Sequence, residues 1–182
     1  MPLPSSLDIK FLSLIRENVK QFMKQSALRY AAEFNEKRRM LDVAPQDHVG
    51  AQPFFPDCFT IDTLDINPES KATIIADLCD RNESLIPTEH YDFVVCTEVL
   101  EHTVRPWDAI NEIHRILKRG GVLILSVPFN FRIHGPLPDC WRFTEQGLRS
   151  MLSKFNIVEL NSLETPERPL MPIHYTVIAE KI

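Results

Sequence analysis

Residues 91–129 read YDFVVCTEVLEHTVRPWDAINEIHRILKRGGVLILSVPF. The stretch opens with a near-continuous apolar run, Tyr91 to Cys96, interrupted only by Asp92, and closes with a longer one, Gly121 to Pro128, interrupted only by Ser126. Near-continuous apolar runs, rather than alternating ones, belong to strands covered on both faces, as in a parallel sheet. Between them, Pro106 suits the first turn of a helix. Trp107, Ile110, Ile113 and Leu117 then recur on one helical face, and Gly120-Gly121 is expected to end it. Strand, helix and strand in this order predict a right-handed crossover in an α/β sheet.

The same grammar extends outward. Upstream, short apolar strands are predicted at 39–43, 59–66 and 73–78. Downstream, a helix begins after Thr144 and turns Leu148, Met151, Leu152 and Phe155 inward. Two weaker strands follow at 157–160 and 174–181. The expected fold is a Rossmann-like α/β sheet of seven strands, mostly parallel, with shortened early crossovers. The first 35 residues read as an added helix, with Leu7, Phe11, Leu12, Ile15, Val19, Phe22 and Met23 spaced by three and four and Ser5 with Asp8 as its cap. Residues 1–38 are thus a helical segment packing on a core formed by 39–182, within one domain. The Lys37-Arg38-Arg39 run reads as the polar end of that helix. The early connections 44–58, 67–72 and 79–90 are short, and the middle one falls below the dozen or more residues, usually a helix, that a crossover needs. The early half of the sheet is therefore expected to be covered by the N-terminal helix or by a second subunit in a homodimer.

Composition limits the function classes. The 182 residues carry a formal net charge of −5, which argues against a nucleic-acid partner, since phosphate neutralisation needs clustered Lys and Arg. The best apolar run, Val122 to Phe129, is far short of the roughly 20 residues a membrane span needs. The amino terminus lacks the charged head and apolar core of a signal peptide. Cys58, Cys79, Cys96 and Cys140 form no CxxC pair and no zinc spacing, so reduced thiols in a cytoplasmic protein and no metal are expected.

In open α/β sheets, ligands sit beyond the carboxyl ends of the strands. Three acids fall there: Asp42, Asp65 and Asp77. A carboxylate ending the second strand can accept both hydroxyls of a ribose; alternatively, Asp65 caps the Asn67-Pro68 turn. Asp77 would sit near an adenine amino group, or serve as a solvated turn acid. Asp62 reads as structural.

The 91–129 stretch resembles the central block of class I, type 11-like, S-adenosylmethionine-dependent methyltransferases, with Arg119 in place of the usual proline. His134 to Thr144, HGPLPDCWRFT, resembles a loop block common in such enzymes. The resemblance implies S-adenosylmethionine as cofactor. It places Asp65 and Ile66 at the ribose, Asp77 and Leu78 beside adenine, and the backbone of Cys96 and Thr97 along the methionine portion. The family's glycine-rich loop after the first strand is altered here: Leu41-Asp42-Val43-Ala44-Pro45 leads on to Gly50. Asp42, Ala44 and Gly50 then stand where that loop would meet the cofactor, although Pro45 removes an amide donor. No GxGxxG exists for a nicotinamide. The implied activity is methylation of a small-molecule or glycan acceptor, most simply at oxygen. His134, Asp139 and His102 are the catalytic candidates, because a hydroxyl acceptor must lose a proton and histidine titrates near neutrality. Asp139 and Arg142 could instead pair to order their loop. Trp141 and Phe143 would form an apolar wall for the acceptor, or core. The altered loop also admits a catalytically silent binding or scaffolding protein that retains the fold.

Overall fold

The computed structural model describes residues 2–31, 37–45 and 50–182. Helix α1 (Ser6–Ala31) opens the chain. The strands are β1 (Arg38–Val43), β2 (Phe59–Asp65), β3 (Ile74–Ile75), β4 (Tyr91–Thr97), β5 (Leu117–Pro128), β6 (Phe155–Leu163) and β7 (His174–Lys181). Helices α2 (Pro106–Ile116) and α3 (Glu145–Met151) flank β5 in sequence, and a single 3₁₀ turn spans Leu100–His102. The seven strands form one sheet in the order β3-β2-β1-β4-β5-β7-β6. All pairings are parallel except those of β7, which runs antiparallel to β5 and to β6. The mostly parallel α/β architecture expected from the sequence is the one observed.

Two apolar clusters hold the layers together. On one face, α2 and α3 bury Ala109, Ile110, Ile113, Leu148 and Met151 against Leu41, Val94, Leu123, Leu125 and Val177. On the other, α1 lays Ile15, Val19, Phe22, Met23 and Ala27 over Met40, Phe93, Val95, Val122, Ile124 and Ile178. The N-terminal helix is therefore the cover on that side. Its start is the expected cap: the Asp8 carboxylate accepts from Ser5 N (2.8 Å), while Asp8 N donates to Ser5 Oγ (3.2 Å). Residues 32–35 of the predicted helix lie outside the described residues.

Four expectations need correction. Helix α2 ends at Ile116, ahead of the glycine pair, because Leu117 turns extended and pairs with Tyr91 of β4. Gly120-Gly121 lies inside β5 instead. A Cβ on Gly121 would stand 2.8 Å from Lys118 O and 3.2 Å from Asp92 O, so close backbone approach is what requires the glycine. The buried face of α2 is correspondingly Pro106, Ala109, Ile110, Ile113 and Ile116, with Trp107 exposed. Strand β3 shrinks to two residues. The Thr63 and Thr73 side chains trade hydrogen bonds with each other's backbone on one side of it, and Asp77 opens a turn on the other by accepting from Cys79 N (2.8 Å). Finally, β1 begins at Arg38, one residue ahead of the expected strand, so Arg38 does not end a helix; Asp92 anchors this start by accepting from Arg38 Nη1 (3.1 Å) and Arg39 N (2.9 Å).

Candidate active site at the carboxyl edge of the sheet

From β1 the chain winds outward to β2 and β3, and β4 lies on the other side of β1. The crevice between the carboxyl ends of β1 and β4 is thus the topological switch point where this class of sheet binds ligands. Two groups of side chains flank it.

The first group follows β1 to β3. Asp42 is buried and its Oδ2 accepts from Ala51 N at 2.7 Å. Burial pushes its pKa up to about 6, against the opposing pull of that amide. A Cβ on Gly50 would come to 3.0 Å of the same Oδ2 and 3.1 Å of Pro45 Cβ, so the loop folds tightly back over Asp42. Ala44 takes a left-handed φ of 50°, a glycine-like conformation held by its N–H donating to Leu64 O (2.7 Å). The loop residues 46–49 lie outside the described residues. Asp65 is buried at the end of β2, where Oδ1 accepts from Asn67 N at 2.7 Å. The turn-capping alternative is therefore realised. Ile66, next to it, is 67% exposed. Asp77 is half-buried and Leu78 joins the core. Cys96 is fully buried, which raises its thiol pKa, and Thr97 is half-buried at the strand end.

The second group follows β4 and β5. Glu98 has a φ of 56°, a left-handed backbone that non-glycine residues adopt rarely, and often at functional sites. Its Oε1 accepts from Ser126 Oγ (2.8 Å) and lies 2.6 Å from His174 Nε2. His174 Nδ1 lies 2.8 Å from the Asn18 amide of α1. The consistent tautomer has His174 donating to Glu98 and accepting from Asn18. A cavity of 810 Å³ opens beside these residues, lined by α1 from Ile9 to Lys20 and by Glu98, Phe131 and His134.

Behind His134 stands a polar knot. Glu101 is fully buried in the 3₁₀ turn, and neither carboxylate oxygen has a hydrogen-bond partner among the described residues. Burial and the neighbouring Glu98 raise its pKa. His102 Nε2 and His134 Nε2 stand 3.8 and 3.9 Å from Glu101 Oε1. Each imidazole is fixed through its other nitrogen: His102 Nδ1 is 2.8 Å from Pro138 O, and His134 Nδ1 is 3.1 Å from Asp139 Oδ2. Asp139 also accepts from His134 N (2.9 Å) and from the guanidinium of Arg142, which holds its carboxyl below the usual range. Burial lowers the His134 pKa. Trp141 donates to Thr103 O (2.8 Å) and stacks on Phe143, so the two aromatics brace the loop against the core.

The three catalytic candidates, His102, His134 and Asp139, are thus brought together, and the Asp139–Arg142 pair orders their loop as well. The cofactor candidates fall in two places, Asp42 with Gly50 and Asp65 with Ile66, with Asp77 and Leu78 beyond β3. Sequence reasoning missed Glu98, Glu101 and His174. The Glu-Val-Leu-Glu-His run itself signalled the first two, as acids just past a strand end. Nothing local marks His174, which meets Glu98 only through the antiparallel β7.

A family model described as a methyltransferase domain matches residues 15–163, most of the chain. The chain belongs to that family. No curated protein matches it in sequence. Its methyltransferase fold recurs in solved structures. One is the Burkholderia thailandensis 1,6-didemethyltoxoflavin-N1-methyltransferase with bound 1,6-didemethyltoxoflavin and S-adenosylhomocysteine: TM-score 0.61, 15% identity, covering 100% of this chain and 93% of that one. Another is the CurJ carbon methyltransferase: TM-score 0.65, 13% identity, 87% of this chain but only 54% of that longer one. A third is the [4+2]-cyclase SpnF: TM-score 0.65, 15% identity, 87% and 79%. At these identities the likeness is one of fold, and the three names show that it hosts different chemistries. Among the described residues, no helix is long and apolar enough to cross a membrane.

Proposed function

We propose that this methyltransferase-family chain transfers the methyl group of S-adenosylmethionine to a hydroxyl of a small-molecule or glycan acceptor seated in the cavity between α1 and the 129–143 loop. The observation that carries the reading is the convergence of Glu98 and His134 on one 810 Å³ cavity beside the end of β4. The cofactor-side residues suit the adenosyl group. Asp65 offers its carboxylate to the ribose hydroxyls, and the exposed Ile66 offers an apolar surface beside them. Asp77 and Leu78 serve the adenine side. Asp42 and Gly50 fold the loop after β1, with Ala44 already in the left-handed conformation that a glycine would take there. The backbone of Cys96 and Thr97 borders the methionine portion.

The cofactor supplies an electrophilic methyl on a sulfonium. What remains for the protein is to align the acceptor, exclude water and deal with the hydroxyl proton. Alignment alone is worth about 7–11 kcal/mol. The helix wall of the cavity provides it, and the His134–Asp139–His102 cluster acts on the hydroxyl, a contribution of roughly 10²–10⁴ in rate. The net charge of −5 fits a neutral or cationic acceptor better than a nucleic acid. Four cysteines without a disulfide fit a cytoplasmic setting. A homodimer would use the surface at β3, where Ile66 and Ile75 are exposed.

The test is titration calorimetry with S-adenosylmethionine, followed by transfer of its labelled methyl to a panel of hydroxylated small molecules and glycans. Binding with label on oxygen supports the reading. No heat at millimolar cofactor supports the second one, a catalytically silent binding protein, which the Ala44-Pro45 start of the loop and the Asp65–Asn67 bond favour.

A further inference from the structure

We infer that Glu101, His102 and His134 form a binding site for one divalent transition-metal cation at the wall of the acceptor cavity. One ligand atom from each of the three side chains lies within 4.8 Å of the other two. Four features point to a cation rather than to a self-sufficient hydrogen-bonded cluster.

The first is Glu101 itself. A fully buried carboxylate with neither oxygen hydrogen-bonded among the described residues is costly unless something else compensates it. The second is distance. At 3.8 and 3.9 Å, the two imidazoles are too far from Glu101 Oε1 to be direct hydrogen-bond partners. Those separations do suit ligands of a shared ion, because two bonds of about 2.0–2.2 Å each allow ligand atoms to stand up to about 4.2 Å apart. A small rotation of either imidazole closes the widest gap. The third is tautomer control. Pro138 O at His102 Nδ1 and Asp139 Oδ2 at His134 Nδ1 hold a proton on each Nδ1, leaving both Nε2 lone pairs directed at Glu101. A carbonyl or carboxylate behind the ligating imidazole is the usual outer arrangement of metal-bound histidine. The fourth is charge. Glu98, Glu101 and Asp139 face one guanidinium, Arg142, so three carboxylates against one cation leave an excess of two negative charges when all are ionised.

Two histidines and one carboxylate leave further coordination positions for solvent or ligand. His102 and His134 keep 17% and 25% of their side-chain surface exposed, which gives the ion a way in. The donor set favours Zn(II), Co(II), Ni(II) or Fe(II) over Mg(II), which prefers an all-oxygen shell. Resting on the proposed methyl transfer, the cation would bind the acceptor oxygen and lower its pKa, so that the hydroxyl proton leaves to solvent at the exposed edge of the site and the two histidines act on the hydroxyl through the ion rather than as bases. Acceptors carrying a second oxygen donor beside the reacting hydroxyl would then be preferred.

The experiment uses the untagged full chain and needs neither methyl donor nor acceptor. Titrate it with Co(II), reading visible absorption, and with Zn(II), reading heat and thermal shift. The expected result is one saturable equivalent per chain, with Co(II) bands of mixed nitrogen and oxygen ligation. Glu101→Gln, close in shape, should lose roughly 100-fold or more in affinity, and His102→Ala about as much. His114→Ala, in the last turn of α2 against Phe155, should bind as the parent does. If Glu101→Gln does not fold, His102→Ala answers the same question from a more exposed position. Absence of a saturable equivalent at about 1 mM metal, or binding unchanged in Glu101→Gln or His102→Ala, overturns the inference. Failure of methyl transfer with cation binding intact would count against the proposed function alone.

Discussion

Asp42 shows how a single buried acid makes the fold sensitive to pH. Its folded-state pKa is raised to about 6, against roughly 3.9 in an unfolded chain. The protonated form is therefore favoured by folding. That stabilisation is complete below the unfolded value and is lost as pH rises through about 6, which amounts to about 3 kcal/mol by neutrality. Asp42→Asn keeps an oxygen for Ala51 N and removes the charge. It should flatten the denaturation-midpoint profile between about pH 4 and 6 and raise stability at pH 8; urea titrations of both proteins across that range check it. Asp65 makes a different prediction. Asp65→Ala removes the turn bond to Asn67 N, which costs about 1 kcal/mol of stability, but should weaken S-adenosylmethionine binding by roughly 10–100-fold, as expected for hydrogen bonds to a charged acceptor. Wild-type affinity in the folded variant would reject the ribose assignment. His134→Ala should lower turnover by about 10²-fold or more while cofactor affinity stays nearly unchanged; paired calorimetry and initial-rate measurements decide it.

At the scale of elements, apolar continuity made β4 and β5 readable, because strands covered on both faces need little else to mark them. Element ends were less readable, because they were decided by distant partners. Leu117 became strand only because Tyr91 pairs with it, and β3 shortened because Thr63 and Thr73 bond each other. The cap of α3 was legible, since Thr144 accepts from Gly147 N in a purely local contact. Thr144→Ala should cost about 1 kcal/mol, measured by urea unfolding. The site divided in the same way. His102, His134 and Asp139 were visible as polar residues on ligand-edge loops. The buried position of Glu101 and the reach of His174 to Glu98 depend on how the 134–144 loop and β7 close over the strand ends. In particular, Cys140 N donates to Glu101 O (2.7 Å).

Across the whole molecule, α1 shares an apolar cluster with four strands of the sheet and with β2 through Phe59, so helix and sheet should melt together. Thermal unfolding should give one transition by both circular dichroism and aromatic fluorescence, and Phe22→Ala should lower it by the equivalent of about 3–5 kcal/mol. Two separated transitions would show that residues 1–38 form an independent unit. One wall of the 810 Å³ cavity comes from this single helix and the opposite wall from the sheet edge, so under the proposed function recognition and chemistry would have separate structural owners. Recasting the exposed turns of α1 around Ser13, Arg16 and Lys20 would then shift the acceptor repertoire while leaving the proposed strand-end machinery as it stands.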